Sequence, residues 1–287
     1  MKFSLITATL GRTAELKRLC ESLVLQSHRD FELIVVDQNP DDRLVAILQE
    51  YASRFPVLHL RSAKGLSRSR NVGLKRASGD VVAFPDDDCS YPPDLLENIG
   101  GILETRRDLA GITCSQIDET GAHNSRWDTR AGVLTRYNLF RRSFSNTIFL
   151  RSAAVRLTGG FDETIGLGAG TPWMWGEEHE YMIRVLANGL VVSYYPNLYV
   201  IHPNKPLHSD AAGKTRKYDE SMGLMRMLRT YNYPLWFAAY MVVRSLGGAL
   251  LSLLRGDFAR MQSYYAGLRG KVRGWREAAP RRVSART

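Results

Sequence analysis

Apolar positions in the first part of the chain fall into short continuous runs separated by helically spaced sets. Leu5-Ile6-Thr7-Ala8-Thr9 predicts a strand, and the segment from Thr13 to Gln26 places Leu16, Leu19, Leu23 and Val24 on one face of a helix. Phe31 to Asp37 predicts a second buried strand, followed by a helical segment Arg43 to Phe55 and a strand Val57 to Leu60. A helical segment Leu66 to Ala77 and a strand Val81 to Phe84 complete this half. Strands alternating with helices predict an α/β fold with a mostly parallel sheet, right-handed crossovers and a ligand at the carboxyl ends of the strands. Asp37 and Asp86 both fall at such ends.

Beyond Asp94 a helix is expected to about Arg107, then strands and loops from Gly111 to Arg142 bordering a second binding site. Asn146 to Leu150 reads as a strand, Gly159 to Glu163 as a Gly-rich turn, and Gly166 to Gly170 as a mobile loop. Glu177 to Asn188 predicts a helix stopped by Gly189, with strands Val191 to Tyr195 and Leu198 to Ile201 behind it. Pro234 to Leu254 is apolar and long enough to cross a bilayer, but Arg244 and Gly247-Gly248 sit near its middle. A central Arg costs roughly 2.5 to 3.5 kcal/mol on insertion scales, so the segment is expected to lie in the membrane plane or re-enter it.

With 287 residues, 44% of them apolar, the chain can hold one large α/β domain and an appendage. Cys20, Cys89 and Cys114 are odd in number and lack zinc spacing, which points to a reducing compartment. The opening Met1-Lys2-Phe3-Ser4-Leu5-Ile6 enters a strand directly and is too short to act as a signal peptide, so export is not expected. Of the formal charge of +10, ten Lys/Arg against two acids after residue 240 supply +8. They follow the aromatic-rich run Pro234 to Val243, and apolar and aromatic residues beside cations suit an anionic membrane surface at about 1 kcal/mol per cation. That reading is preferred to plain helix packing and to nucleic-acid binding, and the expected division is 1–205 and 206–287, the second part helical and membrane-associated.

Three carboxylates, Asp86-Asp87-Asp88, directly follow the buried run Val81 to Phe84 and Pro85. Carboxylates are costly to leave unpaired at the end of a buried strand, and a hard divalent cation with oxygen ligands would relieve them. The plainer reading is a helix entrance at Ser90 to Asp94, with the acids solvated.

The ordered set of short motifs resembles the inverting family 2 glycosyltransferases of GT-A fold over about the first 205 residues: Thr9 and Arg12 after strand one, Asp37 ending strand two, Arg70-Asn71-Val72-Gly73, the Asp triplet, Gly160-Phe161-Asp162-Glu163 and Gly176-Glu177-Glu178. The resemblance implies that Asp86 and Asp88 anchor Mn2+ or Mg2+ on a donor diphosphate, with His202 as a candidate third ligand. Asp37 would contact the nucleoside, and Thr9, Arg12, Arg70 and Asp87 would belong to the donor site. Glu178 aligns with the general base and Glu177 would orient its neighbours, although three acids in a first turn also favour the helix dipole. The chain departs from the family at Gln38, where a second acid is common, and at Ala8-Thr9-Leu10-Gly11-Arg12, which lacks a base-stacking Tyr. Trp173 and Trp175 could stack on a sugar or simply pack. His179 and His208 are weaker candidates.

The resemblance and the basic, apolar C-terminal part together predict metal-assisted transfer of a sugar from a nucleotide-diphosphate donor to a glycan or lipid-linked glycan at the cytoplasmic membrane face, with no nucleic-acid partner. The rivals are a sugar-nucleotide nucleotidylyltransferase, which needs a richer Gly loop than Gly11-Arg12, and a non-catalytic membrane-binding module.

Overall fold

A computed structural model describes residues 1–123, 127–203 and 211–279. His208, the 205/206 boundary and the basic residues Arg281, Arg282 and Arg286 lie outside the described residues.

The elements run β1 (Phe3–Thr9), α1 (Ala14–Val24), β2 (Phe31–Asp37), α2 (Val45–Ala52), β3 (Val57–Arg61), α3 (Leu66–Leu74), β4 (Val81–Ala83) and α4 (Leu95–Thr105). They continue as β5 (Gly111–Ile117), β6 (Gly132–Val133), β7 (Ile148–Arg151), α5 (Ser152–Thr158), α6 (Glu177–Ala187), β8 (Val192–Ile201), α7 (Ala211–Thr230), α8 (Leu235–Leu254) and α9 (Phe258–Glu277). Among the described residues one eight-stranded sheet forms, in the order β3-β2-β1-β4-β7-β5-β8-β6. β1 to β4 are mutually parallel, β7 runs against β4 and β5, and β6 runs against β8. The α/β expectation therefore stands, with helices on both faces.

Alternation along β1 and β2 decides which helix goes where. Phe3, Leu5, Leu33 and Val35 share a cluster with Leu16 and Leu19 of α1 and Leu96 and Ile99 of α4. Ile6 and Val36 point the other way, against α3, where a Cβ on Gly73 would overlap the Ile6 side chain. Only Gly permits so close a helix–strand approach.

The two strands read from Val191 to Ile201 are one strand, β8, broken in register opposite Cys114 and Ser115. Pro196 lies in the irregular stretch and has no N–H for the ladder. The Ser115 hydroxyl bridges the irregularity by donating to the carbonyls of Pro196 (2.9 Å) and Leu198 (3.1 Å).

The chain divides into two compact units, Met1–Glu163 with Glu177–Asn204, and Thr164–Gly176 with Lys205–Thr287. The first holds the sheet. In the second, Gly270 and Gly274 of α9 lie against the backbone of Tyr218 and Met222 of α7, close enough that a Cβ at either would overlap it. Trp173 and Trp175, ahead of α6, have guanidinium groups over their rings, Arg226 at 4.6 Å and Arg216 at 4.9 Å. α8 is 20 residues long with a mean hydropathy of 1.6. Its Leu235, Trp236, Val243, Leu246, Leu250 and Leu254 are exposed.

Candidate active site

β4 ends at Ala83, and Phe84 and Pro85 carry the chain out of the sheet to Asp86. The turn closes through Cys89 N donating to the Asp86 carbonyl at 3.1 Å. Ser90 then pairs with Ile201, each donating its N–H to the other's carbonyl, at 2.8 and 3.0 Å. That bridge draws the end of β8 alongside the acidic turn, and His202 Nε2 lies 3.1 Å from Asp88 Oδ1. One ligand atom each from Asp86, Asp88 and His202 falls within 4.8 Å of the others.

The donor set fits a divalent cation. His202 Nδ1 is 3.0 Å from the Pro203 carbonyl, which can only accept, so Nδ1 carries a proton. With Nδ1 so engaged, it is Nε2 that faces the carboxylate oxygen of Asp88, and either a proton on Nε2 or a cation between the two atoms makes that approach favourable. Asp86 and Asp88 offer oxygen ligands and His202 a nitrogen, a mixed set that a divalent cation can use.

Asp87 turns away from this cluster. Its Oδ2 accepts from Thr9 Oγ1 at 2.7 Å and its Oδ1 meets Arg12 Nη1 at 2.5 Å. The same guanidinium nitrogen reaches Asp88 Oδ2 at 2.8 Å. Burial pushes the Asp87 carboxyl up from its ordinary value against the opposing pull of Thr9 and Arg12. Thr9, Arg12 and Asp87 thus hold the acidic turn against the end of β1, with Arg12 partly exposed beside it.

Asp37 lies opposite Thr9 in the sheet register and is fully buried. Its Oδ1 accepts from the backbone and side-chain nitrogens of Asn39, both at 2.8 Å, and its Oδ2 meets His59 Nε2 at 3.0 Å and Arg61 Nη1 at 3.2 Å. Asn39 Oδ1 in turn accepts from Gly11 N at 2.7 Å, fixing the β1 turn where Gly11 has φ +74°. Gln38, in place of a second acid, accepts from Gly65 N at 2.8 Å and so ties this loop to the start of α3.

Arg70 of α3 is 2% exposed and spans two parts of the site. Its Nη1 donates to Glu177 Oε1 at 2.9 Å, its Nη2 lies 3.4 Å from Asp86 Oδ1, and Phe161 packs under the guanidinium at 5.4 Å. The guanidinium is therefore already engaged with protein carboxylates. Asn71 next to it clamps the Gly-rich turn, accepting from Phe161 N at 2.7 Å and donating to the Phe161 carbonyl at 2.9 Å and Glu163 at 3.0 Å. Ser145 Oγ donates to the same Asp86 oxygen, Oδ1, at 3.1 Å.

Glu177 and Glu178 begin α6, where free backbone N–H groups favour negative charge. Burial nevertheless outweighs the helix and Arg70, and with Glu178 adjacent it pushes Glu177 up to about 7. Glu178 is also raised, again chiefly by burial. His179 Nδ1 lies 3.2 Å from Glu178 Oε1, and its ring sits between Phe140 (5.3 Å) and Phe144 (5.4 Å). Burial there depresses the imidazole to about 4, so His179 is neutral.

The structure thus brings Asp86, Asp88 and His202 together and links them through Arg70 to Glu177. Thr9, Arg12 and Asp87 form an adjoining set, and Asp37 heads its own. Sequence reasoning assigns no role to Ser145, His59, Arg61 or Asn71. Asn71 stands inside a recognised motif, whereas nothing local marks a lone Ser or a strand His as a partner of a distant acid.

Residues 4–161 match the model of glycosyl transferase family 2, more than half of the chain, and the chain belongs to that family. Over 120 residues it is 32% identical to an uncharacterized glycosyltransferase of Haemophilus influenzae, a stretch covering 40% of each protein. It is 33% identical over 114 residues to the dolichol-phosphate mannosyltransferase of Pyrococcus furiosus, covering 38% of this chain and 32% of that one. The matches therefore span well under half the length of these curated relatives. Among solved structures the mannosyltransferase PcManGT of Pyrobaculum calidifontis, in complex with GDP-Man and Mn2+, superposes with a TM-score of 0.66 at 15% identity, over 96% of this chain and 88% of that one. S. aureus TarS 1-349 in complex with UDP-GlcNAc gives 0.61 at 18% identity, over 95% and 92%. These likenesses establish the GT-A fold.

Proposed function

We propose that the chain is an inverting, metal-dependent glycosyltransferase that moves a sugar from a nucleotide-diphosphate donor to an acceptor, a lipid-linked glycan at the cytoplasmic membrane face. The observation that carries this reading is the Asp86–Asp88–His202 cluster joined through Arg70 to the Glu177-Glu178 pair. Asp86, Asp88 and His202 would hold Mn2+ or Mg2+, which when bound offsets the negative charge developing on the departing diphosphate. Thr9, Asp87 and Arg12 keep the acidic turn in place, with the exposed part of Arg12 facing the donor phosphates. Asp37, oriented by Asn39, His59 and Arg61, marks the nucleoside end. Arg70 acts on the donor side by fixing Asp86.

Displacement at the anomeric carbon needs a base for the acceptor hydroxyl, and Glu178 fills that role. Its carboxylate is held by His179 and its raised affinity for a proton suits the task. Glu177, locked to Arg70, positions the turn. Related proteins of this fold bind GDP-Man or UDP-GlcNAc, which supports a nucleotide-sugar donor without naming the base. The exposed apolar face of α8 supports membrane attachment.

The test is donor turnover with and without Mn2+ across a panel of nucleoside-diphosphate sugars. Asp88→Ala should abolish metal-dependent turnover, and equal rates for wild type and variant would remove the metal claim. Glu178→Gln should keep donor affinity and lower transfer by on the order of 10² to 10⁴. Unchanged turnover in that variant would move the base elsewhere.

A further inference from the structure

Lys271 of α9 is 5% exposed, and its ammonium donates to Ser245 Oγ of α8 at 2.7 Å. Among the described residues no carboxylate lies within ion-pair reach of it. Arg244, the neighbour of Ser245, is exposed, packs over Tyr240 at 5.6 Å and likewise has no acid within reach among the described residues. Lys217 of α7 passes over Gly267, one turn before Lys271, and its own ammonium is 3.6 Å from Glu220. Lys217 and Arg244 both lie close enough to disfavour charge on Lys271, which burial already depresses to about 8. A cation withdrawn from water and faced by two others is expensive unless an anion joins them.

The surroundings say which anion. Arg244 sits halfway along α8, and Val243, Leu246 and Leu250 beside it are exposed apolar side chains. Free phosphate has no use for such a surface, whereas a phospholipid needs it beside its headgroup. We propose that Lys271, Arg244 and Lys217 with the Ser245 hydroxyl form a binding site for the phosphate of an anionic phospholipid, which holds α8 in the membrane plane. This rests on the reading of α8 as a membrane-attached helix. It assigns Arg244 a purpose that a spanning orientation would deny it, because phosphate groups lie at the depth of an in-plane helix.

The test is flotation of the full chain with vesicles of phosphatidylcholine alone and of phosphatidylcholine with phosphatidylglycerol. Wild type should partition to the anionic vesicles at least about tenfold better. Lys271→Met with Arg244→Gln should lose most of that preference while still adsorbing to both, whereas removing the same charge at Arg260 and Arg269 should cost far less. Lys271→Arg, which keeps the charge, should retain the preference, and circular dichroism of every variant checks that the helices persist. Equal loss from the Arg260/Arg269 pair would reduce the effect to a diffuse field and overturn the site. Soluble dihexanoyl phosphatidylglycerol should raise the wild-type melting temperature and inorganic phosphate should not; an equal rise with phosphate would overturn the lipid assignment. Equal flotation of wild type with both vesicle types would sink the site and leave membrane attachment standing, while no flotation with either would sink both.

Discussion

Arg70 shows how one side chain joins parts of a site remote in sequence, since Glu177 lies 107 residues after it and Asp86 only 16. Its five donors serve Glu177 and Asp86 at once, and the planar fork cannot be replaced by a point charge. Removing it leaves two acids near each other with burial uncompensated, which for a buried pair costs about 3 to 5 kcal/mol. Arg70→Met is therefore expected to lower stability by that amount in urea titration, and Arg70→Lys by less but with comparable loss of transfer. Glu177 adds a pH signature. Its folded-state value near 7 exceeds the ordinary 4.5, so the native state keeps the proton longer than the unfolded chain. The stability it contributes is complete below about 4.5 and is lost as pH rises through about 7. Melting temperature of the metal-free protein followed across that window should fall, and Glu177→Gln should flatten the slope. In the proposed role of base, Glu178, raised in the same direction, must lose its proton to act, so the acidic limb of the transfer rate is expected above the ordinary carboxylate range.

At the level of elements, α3 carries more of the site than its short length suggests. Gly73 lets it sit on Ile6 of β1, Asn71 closes the Gly160-Phe161 turn, and Arg70 reaches Glu177. A methyl at Gly73 has to displace a buried strand residue, and overpacking of this kind costs about 1 to 3 kcal/mol. Gly73→Ala should accordingly lower the urea midpoint and, by shifting Arg70, weaken transfer. Asn71→Ala should leave two turn groups unpaired at a similar cost. The positions of β1, β2, β4 and the Asp turn are legible in sequence because strands covered on both faces leave continuous apolar runs ending in polar residues. β8 reads as two strands because Pro196 interrupts the pattern, and only the Ser115 hydrogen bonds, made across the sheet, reveal that the strand continues. Asp86, Asp88 and His202, proposed as metal ligands, are legible as residue types in family order, and the structure brings one ligand atom of each within 4.8 Å of the others. What each acid rests on is not legible, since Ser145, His59 and Arg61 act across strand or loop distances that periodicity does not encode.

At the scale of the whole molecule, the proposed chemistry and the proposed attachment fall in two units joined by the chain. The segment Thr164–Gly176 belongs with the C-terminal helices, and the next residue, Glu177, opens α6. Within that unit Gly176 packs on Met227 and the Trp175 backbone on Gly223, so α7 sets where the segment ends. Arg216 and Arg226 cover the two Trp rings from the same helix. Deleting residues 204–287 removes every one of these supports while leaving the sheet, the acidic turn and His202 in the chain. The expected result is nucleotide-diphosphate binding with Mn2+ close to that of the full chain by calorimetry, together with transfer lower by on the order of 10²-fold, the cost of about 1 Å of misplacement at a catalytic group. The truncated protein should also fail to float with anionic vesicles. Full transfer by the truncated chain toward a soluble acceptor would show that Glu177 and Glu178 are placed by the sheet and Arg70 alone, and that the C-terminal helices serve attachment only.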